Sequence, residues 1–291
     1  MHTIFHCISR TLLAAVLLCL LTSCTKTKLA YSFLDNWLRW ETENYVDLNS
    51  EQKQLLKTQS KQFHQWHRAN ELIPLAELAG DSADLFNQPA ISVQEIEQLL
   101  NQSEKLYQRS ADQLRKLSDA LLPSLSLEQT QQIMDNLDEK IQEYQEEYLA
   151  VSPSQRIEDR TDNMTDFLKG IVGKLSDEQH QLINAWSKNQ LGLAAEGLLQ
   201  QRLWQQAFRT KLTEDTYSPT DLDDLAELIF AEMAPLNDQH QQVVLANRQR
   251  TYAMIADFHG TLTTKQKEKL NRQLTTYQQD FLALAAATGE D

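Results

Sequence analysis

The residues best suited to chemistry lie close together in the stretch FHQWHRANE, which ends at Glu71. His64 and His67 are three residues apart, a spacing that places both imidazoles on one face of a helix. Two imidazoles make only half of a zinc site, which needs a third and usually a fourth ligand. No second histidine cluster supplies them, because the later histidines are scattered at His180, His240 and His259. We therefore expect no metal and no cofactor.

The same stretch combines an aromatic residue with opposite charges. Arg68 and Glu71 are three residues apart and are expected to form a weak pair on a helix. Tryptophan and arginine are frequent anchors of protein interfaces. One interpretation is a binding surface made by Trp66, His67, Arg68 and Glu71. The other is a buried or half-buried Trp66, with His67 and Arg68 bonded to neighbouring helix ends.

No pattern predicts a catalytic site. Asp221, Asp223 and Asp224 follow Thr220 and suit the start of a helix better than a metal cluster. General acid catalysis by paired carboxylates needs a cleft and a raised pKa, which the sequence does not indicate. The chain has no nucleophile elbow, Walker loop, GxGxxG or HExxH motif. We expect no catalytic residues, and a hydrolase acting on cell wall or lipid is the least favoured alternative.

The amino terminus predicts a lipid anchor. One arginine precedes an apolar run of about 11 residues, which fits a signal peptide and is too short to span a membrane. The run ends in LTSC, which resembles a bacterial lipobox. That resemblance implies removal of residues 1–23 and acylation of the Cys24 thiol. The alternative is an ordinary signal peptide or a membrane anchor helix in which Cys24 is incidental.

The positions of the cysteines and the net charge indicate in which compartment the protein is located and which partners it is expected to bind. All three cysteines lie within the first 24 residues, so the processed chain cannot form a disulfide in an oxidising compartment. Thr25, in place of the Asp that retains enterobacterial lipoproteins in the inner membrane, implies the outer membrane and a body facing the periplasm. The net charge of −14 disfavours nucleic acid. The expected partners are the membrane, through Cys24, and an envelope protein.

The pattern of the remaining chain predicts an all-α fold, an antiparallel multi-helix bundle. Only seven glycines and six prolines occur in 291 residues, and few stretches alternate with a period of two. Apolar residues recur at helical spacing, as in Leu270, Leu274, Tyr277 and Phe281, and such stripes pack against neighbouring helices. We expect helices at roughly 29–46, 50–72, 92–121, 126–150, 154–172, 176–212, 219–234, 236–259 and 263–287.

A helix-capping motif occurs four times: Leu, a capping residue, two variable residues and Gln. In this capping box the first side chain accepts the N3 amide hydrogen, and the glutamine side chain returns to the cap's own amide. The cap and glutamine pairs are Asn49 and Gln52, Ser126 and Gln129, Ser176 and Gln179, and Thr263 and Gln266.

The spacing of these boxes bears on domain organisation. We expect a signal peptide at 1–23, a lipidated tether at 24–28 and one helical domain at 29–287. The motifs also suggest two related halves, 29–150 and 154–287, although amphipathic helices converge by chance nearly as readily.

The chain resembles a family of uncharacterised bacterial lipoproteins of unknown function. The matching features are Tyr31, Leu34 and Asp35 after the lipobox, then YVDL ending at Leu48 and WHR beginning at Trp66. This resemblance implies a helical fold and an envelope location, and it carries no activity. The Leu-Ser/Thr-x-x-Gln motif resembles, more weakly, that of the Spy/CpxP periplasmic stress chaperones, which implies a cradle for unfolded clients.

Together these features favour an outer-membrane lipoprotein whose helical module binds an envelope protein or another envelope component. A periplasmic chaperone or stress sensor is the alternative.

Overall fold

The computed structural model describes residues 24–146, 150–213, 217–230 and 236–287. Within these ranges it is all-α, which confirms the predicted fold class, and a multi-helix bundle fits the arrangement. The predicted signal peptide, 1–23, lies outside the described residues. The twelve α-helices of these ranges are α1 (Cys24–Ser32), α2 (Leu34–Glu43), α3 (Ser50–Asn70), α4 (Leu72–Phe86), α5 (Val93–Leu121), α6 (Leu127–Tyr144), α7 (Pro153–Val172), α8 (Asp177–Asn189), α9 (Ala194–Leu212), α10 (Pro219–Phe230), α11 (Asp238–Gly260) and α12 (Thr264–Ala286).

Helix α4 occupies residues for which the sequence predicted no helix. The expectation was wrong because a proline within the first turn, here Pro74, does not interrupt a helix. Pro74 is the third residue of α4, where the backbone N–H has no partner within the helix, so proline costs little there. The helix ends before Pro89, with Asn87 as its C-cap.

Two stretches predicted as single helices are interrupted. The stretch 29–46 is divided at Phe33 into α1 and α2, and α1 includes the predicted tether 24–28. The stretch 176–212 is divided at 190–193, between α8 and α9. There the amide of Asn247 in α11 accepts from the Leu191 N–H at 2.8 Å and donates to its carbonyl at 2.9 Å. A side chain distant in sequence thus takes the place of helical hydrogen bonds.

Two large apolar clusters fill the bundle, and each contains leucines that open capping motifs. The first has Leu48 and Leu125, packed with residues such as Phe208 and Leu225. The second has Leu175 and Leu262, packed with residues that include Ala83. Each cluster therefore draws on both proposed halves, and the internal duplication stays a prediction. A smaller cluster joins α4 to α12, which pack side by side.

The four capping glutamines pair with one another. Each completes its own capping box, and each also meets a second glutamine across the bundle. Gln52 and Gln129 exchange two side-chain hydrogen bonds of 2.9 and 2.7 Å. Gln179 and Gln266 exchange two of 3.0 Å.

The second N–H of each amide closes the arrangement. Gln52 and Gln129 donate it to the carbonyls of Ser124 and Asp47, both at 2.7 Å. Gln179 and Gln266 donate it to the carbonyls of Thr261 at 3.3 Å and Lys174 at 2.9 Å. In each case the acceptor lies two residues before the capping residue of the partner's box. Each glutamine therefore uses both of its donors and two acceptor positions, which is what a buried amide requires. Each pair fastens two interhelical turns together. Helix α5 has a further capping box, made by Ser92 and Glu95, in which no glutamine takes part.

Candidate functional site

The candidate surface lies near the carboxyl end of α3, where α1 crosses it. Trp66, His67 and Arg68 are each half-buried. The Tyr31 hydroxyl of α1 lies 3.0 Å from Nδ1 of His67. The Arg68 guanidinium carbon lies 6.0 Å from the centre of the Tyr31 ring. His67 and Arg68 therefore both contact α1. The part of these side chains that remains available for binding is smaller than their residue types suggested.

Burial keeps His67 and Tyr31 uncharged. Together with a smaller effect of the nearby His64, it lowers the pKa of His67 to about 4. In the tautomer that carries its hydrogen on Nε2, the neutral imidazole accepts the Tyr31 hydroxyl hydrogen at Nδ1. Burial raises the pKa of Tyr31, so the hydroxyl keeps its proton. Burial also lowers the pKa of His64, whose Nδ1 lies 3.7 Å from a carboxylate oxygen of Asp35 in α2.

Glu71 does not belong to this surface. Its side chain is 1 % exposed, and it pairs with Arg109 of α5 instead of Arg68. The guanidinium donates from Nε to Oε1 at 3.1 Å and from Nη2 to Oε2 at 2.7 Å. Glu71 is the residue between α3 and α4, and there its side chain meets α5. The predicted Arg68 pair is therefore wrong.

The acidic residues that open α10 are paired with cations. Lys211 lies 3.0 Å from Asp221 and 2.9 Å from Asp224, while Arg115 lies 3.1 Å from Asp223. Asp221 also accepts from the Ser218 N–H at 3.0 Å, which caps the helix. Among the described residues, no three His, Cys, Asp or Glu side chains gather as they would around a metal ion.

The structure reveals one surface that the sequence analysis missed. Four large apolar side chains of α1 and α2 and of the residue between them point into solvent, and we call them the outer stripe: Leu29, Phe33, Trp37 and Trp40. Their spacing of four, four and three residues, just after the lipobox, is the signal that would have found them. The described part of the chain holds no helix both long enough and apolar enough to cross a bilayer.

Fold and surface together define a class: an all-α bundle braced by paired capping boxes. Residues 44–234 match the model of a Family of unknown function (DUF6279), and the chain belongs to that family. No curated protein and no solved structure matches it. The matched region includes the WHR segment and three of the four glutamine boxes. It does not include α1, α2 or the box of Gln266.

Proposed function

We propose that this protein is an envelope lipoprotein, acylated at Cys24 and held on the periplasmic face of the outer membrane. Its helical body binds an envelope protein or another envelope component and catalyses no reaction. One observation carries the proposal: the apolar run at the amino terminus ends in LTSC, which resembles a lipobox whose cysteine is Cys24.

The attachment of α1 to the body supports a tether of short reach. The Lys28 ammonium lies 3.6 Å from Asp280 of α12, a carboxylate that is 2 % exposed. Tyr31 bonds to His67 of α3 a few residues later. An acyl group on Cys24 would therefore keep the body close to the bilayer, because no long flexible linker separates them. A bundle held in this way suits contacts with other envelope components.

Two cysteine variants test the anchor. Cys24→Ser removes the lipidated thiol, and we expect it to abolish both the acyl mass and the processing of the precursor. Cys19→Ser is the matched control, because it removes a thiol from the signal region and leaves LTSC intact. Intact-mass measurement and membrane fractionation give the result. Native protein without an acyl mass, or Cys24→Ser protein processed and fractionated like wild type, would refute the anchor.

Crosslinking in cells tests the binding role. A photoreactive amino acid at position 66 lies on the candidate surface, whereas one at Leu127, which is 75 % exposed on another helix, serves as control. We expect a discrete crosslinked envelope product from position 66 only. Identical products from both positions, or none from either, would contradict a binding surface around Trp66.

The chaperone alternative gains no support from its own motif. Gln52 is 3 % exposed and Gln179 is 0 % exposed, and their amides are used within the bundle. These glutamines therefore cannot contact an unfolded client without first leaving their partners. Suppression of client aggregation by the purified protein would nevertheless establish that alternative.

A further inference from the structure

The outer stripe is an apolar face that is exposed to solvent. Leu29, Phe33, Trp37 and Trp40 are 56, 54, 37 and 52 % exposed. Residues spaced by three and four lie on one side of a helical segment. Four exposed large apolar side chains within twelve residues differ from the single exposed leucines that are normal on protein surfaces.

The opposite side of α1 and α2 fixes the direction of this patch. Three contacts attach that side to the bundle: Lys28 to Asp280 at 3.6 Å, Tyr31 to His67 at 3.0 Å, and Asp35 to His64 at 3.7 Å. Tyr31 also packs against the apolar cluster between α4 and α12. With one side held in this way, the outer stripe faces away from the body.

The sequence position of the stripe puts it beside the proposed anchor. Leu29 is five residues after Cys24, and both belong to α1. At about 1.5 Å per residue, they are about 7.5 Å apart along the helix axis. An acylated Cys24 would therefore bring the beginning of the stripe to the depth of the lipid headgroups.

Local charge and residue types also match a membrane surface. Three basic and three acidic residues lie in α1 and α2, so this segment carries no net charge in a chain of net charge −14: Lys26, Lys28, Arg39, Asp35, Glu41 and Glu43. The acidic body repels anionic headgroups, whereas this segment has no net charge to oppose contact with them. Tryptophan is enriched at the membrane interface, where its ring sits at headgroup level, and the stripe contains two.

We infer that the outer stripe docks on the bilayer, with α1 and α2 lying along the headgroup region beside the acyl group. This inference rests on the acylated anchor proposed above. It adds that the anchored segment fixes which side of the bundle faces the membrane. The candidate surface around Trp66 would then keep a constant orientation toward the periplasm.

Single-cysteine labelling tests the docking. The processed chain has no cysteine besides Cys24, which acylation blocks. A polarity-sensitive fluorophore is attached at Phe33→Cys or Trp40→Cys in acylated protein, reconstituted in phosphatidylethanolamine and phosphatidylglycerol vesicles. Leu127→Cys is the matched control, an exposed apolar position outside the stripe. We expect a blue shift and quenching by brominated lipid at 33 and 40, and neither at 127.

The outcomes separate the docking from the anchor. Water-exposed labels at 33 and 40 on acylated, vesicle-bound protein would refute docking and leave the anchor intact. If the native protein carries no acyl group, the docking is tested by how strongly the Cys24→Ser chain partitions into vesicles. Adding Phe33→Ser and Trp40→Ser to the Cys24→Ser chain should lower its partitioning into vesicles about tenfold. Equal partitioning of the chains with and without these two substitutions would refute docking. Concentration-dependent blue shifts of the labelled Cys24→Ser chain without vesicles would show a second copy on the stripe, which also refutes it.

Discussion

The side-chain amides of Gln179 and Gln266 exchange two hydrogen bonds of 3.0 Å although 87 residues separate them in the chain. Each oxygen also accepts the amide hydrogen of its own helix cap, at 3.0 Å for both Ser176 and Thr263. A local capping device is thereby converted into a contact between distant turns. The pair is buried, so loss of either partner leaves donors and acceptors without water to replace it.

The variant Gln179→Glu tests the contribution of this pair. The new carboxylate still reaches the Ser176 amide, but it has no N–H for Gln266 or for the Thr261 carbonyl. We expect the free energy of unfolding to fall by about 2 to 4 kcal/mol. Chemical denaturation at neutral pH measures it.

Glu95→Gln is the control for that exchange. Glu95 belongs to the capping box of Ser92, which lies at the surface and has no second amide. Exchange of acid for amide there should change stability less than the exchange at position 179, because solvent reaches the Glu95 carboxylate and no second amide depends on it. Equal effects at 95 and 179 would mean that the glutamine pair adds nothing beyond capping.

The ion pair between Glu71 and Arg109 predicts a second large effect. Arg109→Ala leaves the Glu71 carboxylate, which is 1 % exposed, without its cation. We expect a loss of about 3 kcal/mol in the free energy of unfolding. Arg115→Ala, on the same helix, is the matched control, because its partner Asp223 is 74 % exposed. That variant should cost less than about 1 kcal/mol, and similar costs for both would contradict the role of burial.

These residues show what the sequence alone can predict. Each capping box is local, so the spacing of Ser176 and Gln179 is enough to indicate it. The partner of Gln179 is set by how distant turns meet, which no local pattern contains. Glu71 illustrates the same limit: Arg68 is near in sequence, but the packing of α5 supplies Arg109. The resemblance to an uncharacterised family was predicted correctly from the sequence. No residue pattern, however, indicated an activity.

Acid should destabilise the protein through His67. Its pKa is about 4 in the fold, below the ordinary 6.5, so the unfolded chain binds a proton first as the pH falls. The free energy of unfolding therefore has its full value above about pH 6.5. It declines by roughly 2 kcal/mol as the pH falls from about 6.5 to about 4. His67→Gln should reduce this slope in denaturation curves measured across the window. An unchanged slope in His67→Gln would refute the assignment.

Gly173 ends α7 in a conformation that disfavours side chains. Its φ of 92° is positive, so an L side chain there is strained. Gly173→Ala should lower the free energy of unfolding by about 1 to 2 kcal/mol. Gly192→Ala is the control, because no atom lies within 4 Å of the added methyl group and φ is not positive. A thermal shift for Gly192→Ala as large as that for Gly173→Ala would remove the conformational explanation.

The bond from Tyr31 to His67 predicts how firmly α1 is held. Tyr31→Phe keeps the ring in its apolar cluster and removes only the hydroxyl that is hydrogen-bonded to His67. We expect a loss of about 1 kcal/mol that is confined to α1, seen as roughly fivefold faster amide hydrogen exchange there and unchanged exchange in α8. Tyr107→Phe removes a hydroxyl that bonds to the Phe230 carbonyl, and it should leave α1 unaffected. If exchange in α1 is the same in wild type and Tyr31→Phe, this hydrogen bond does not hold the helix.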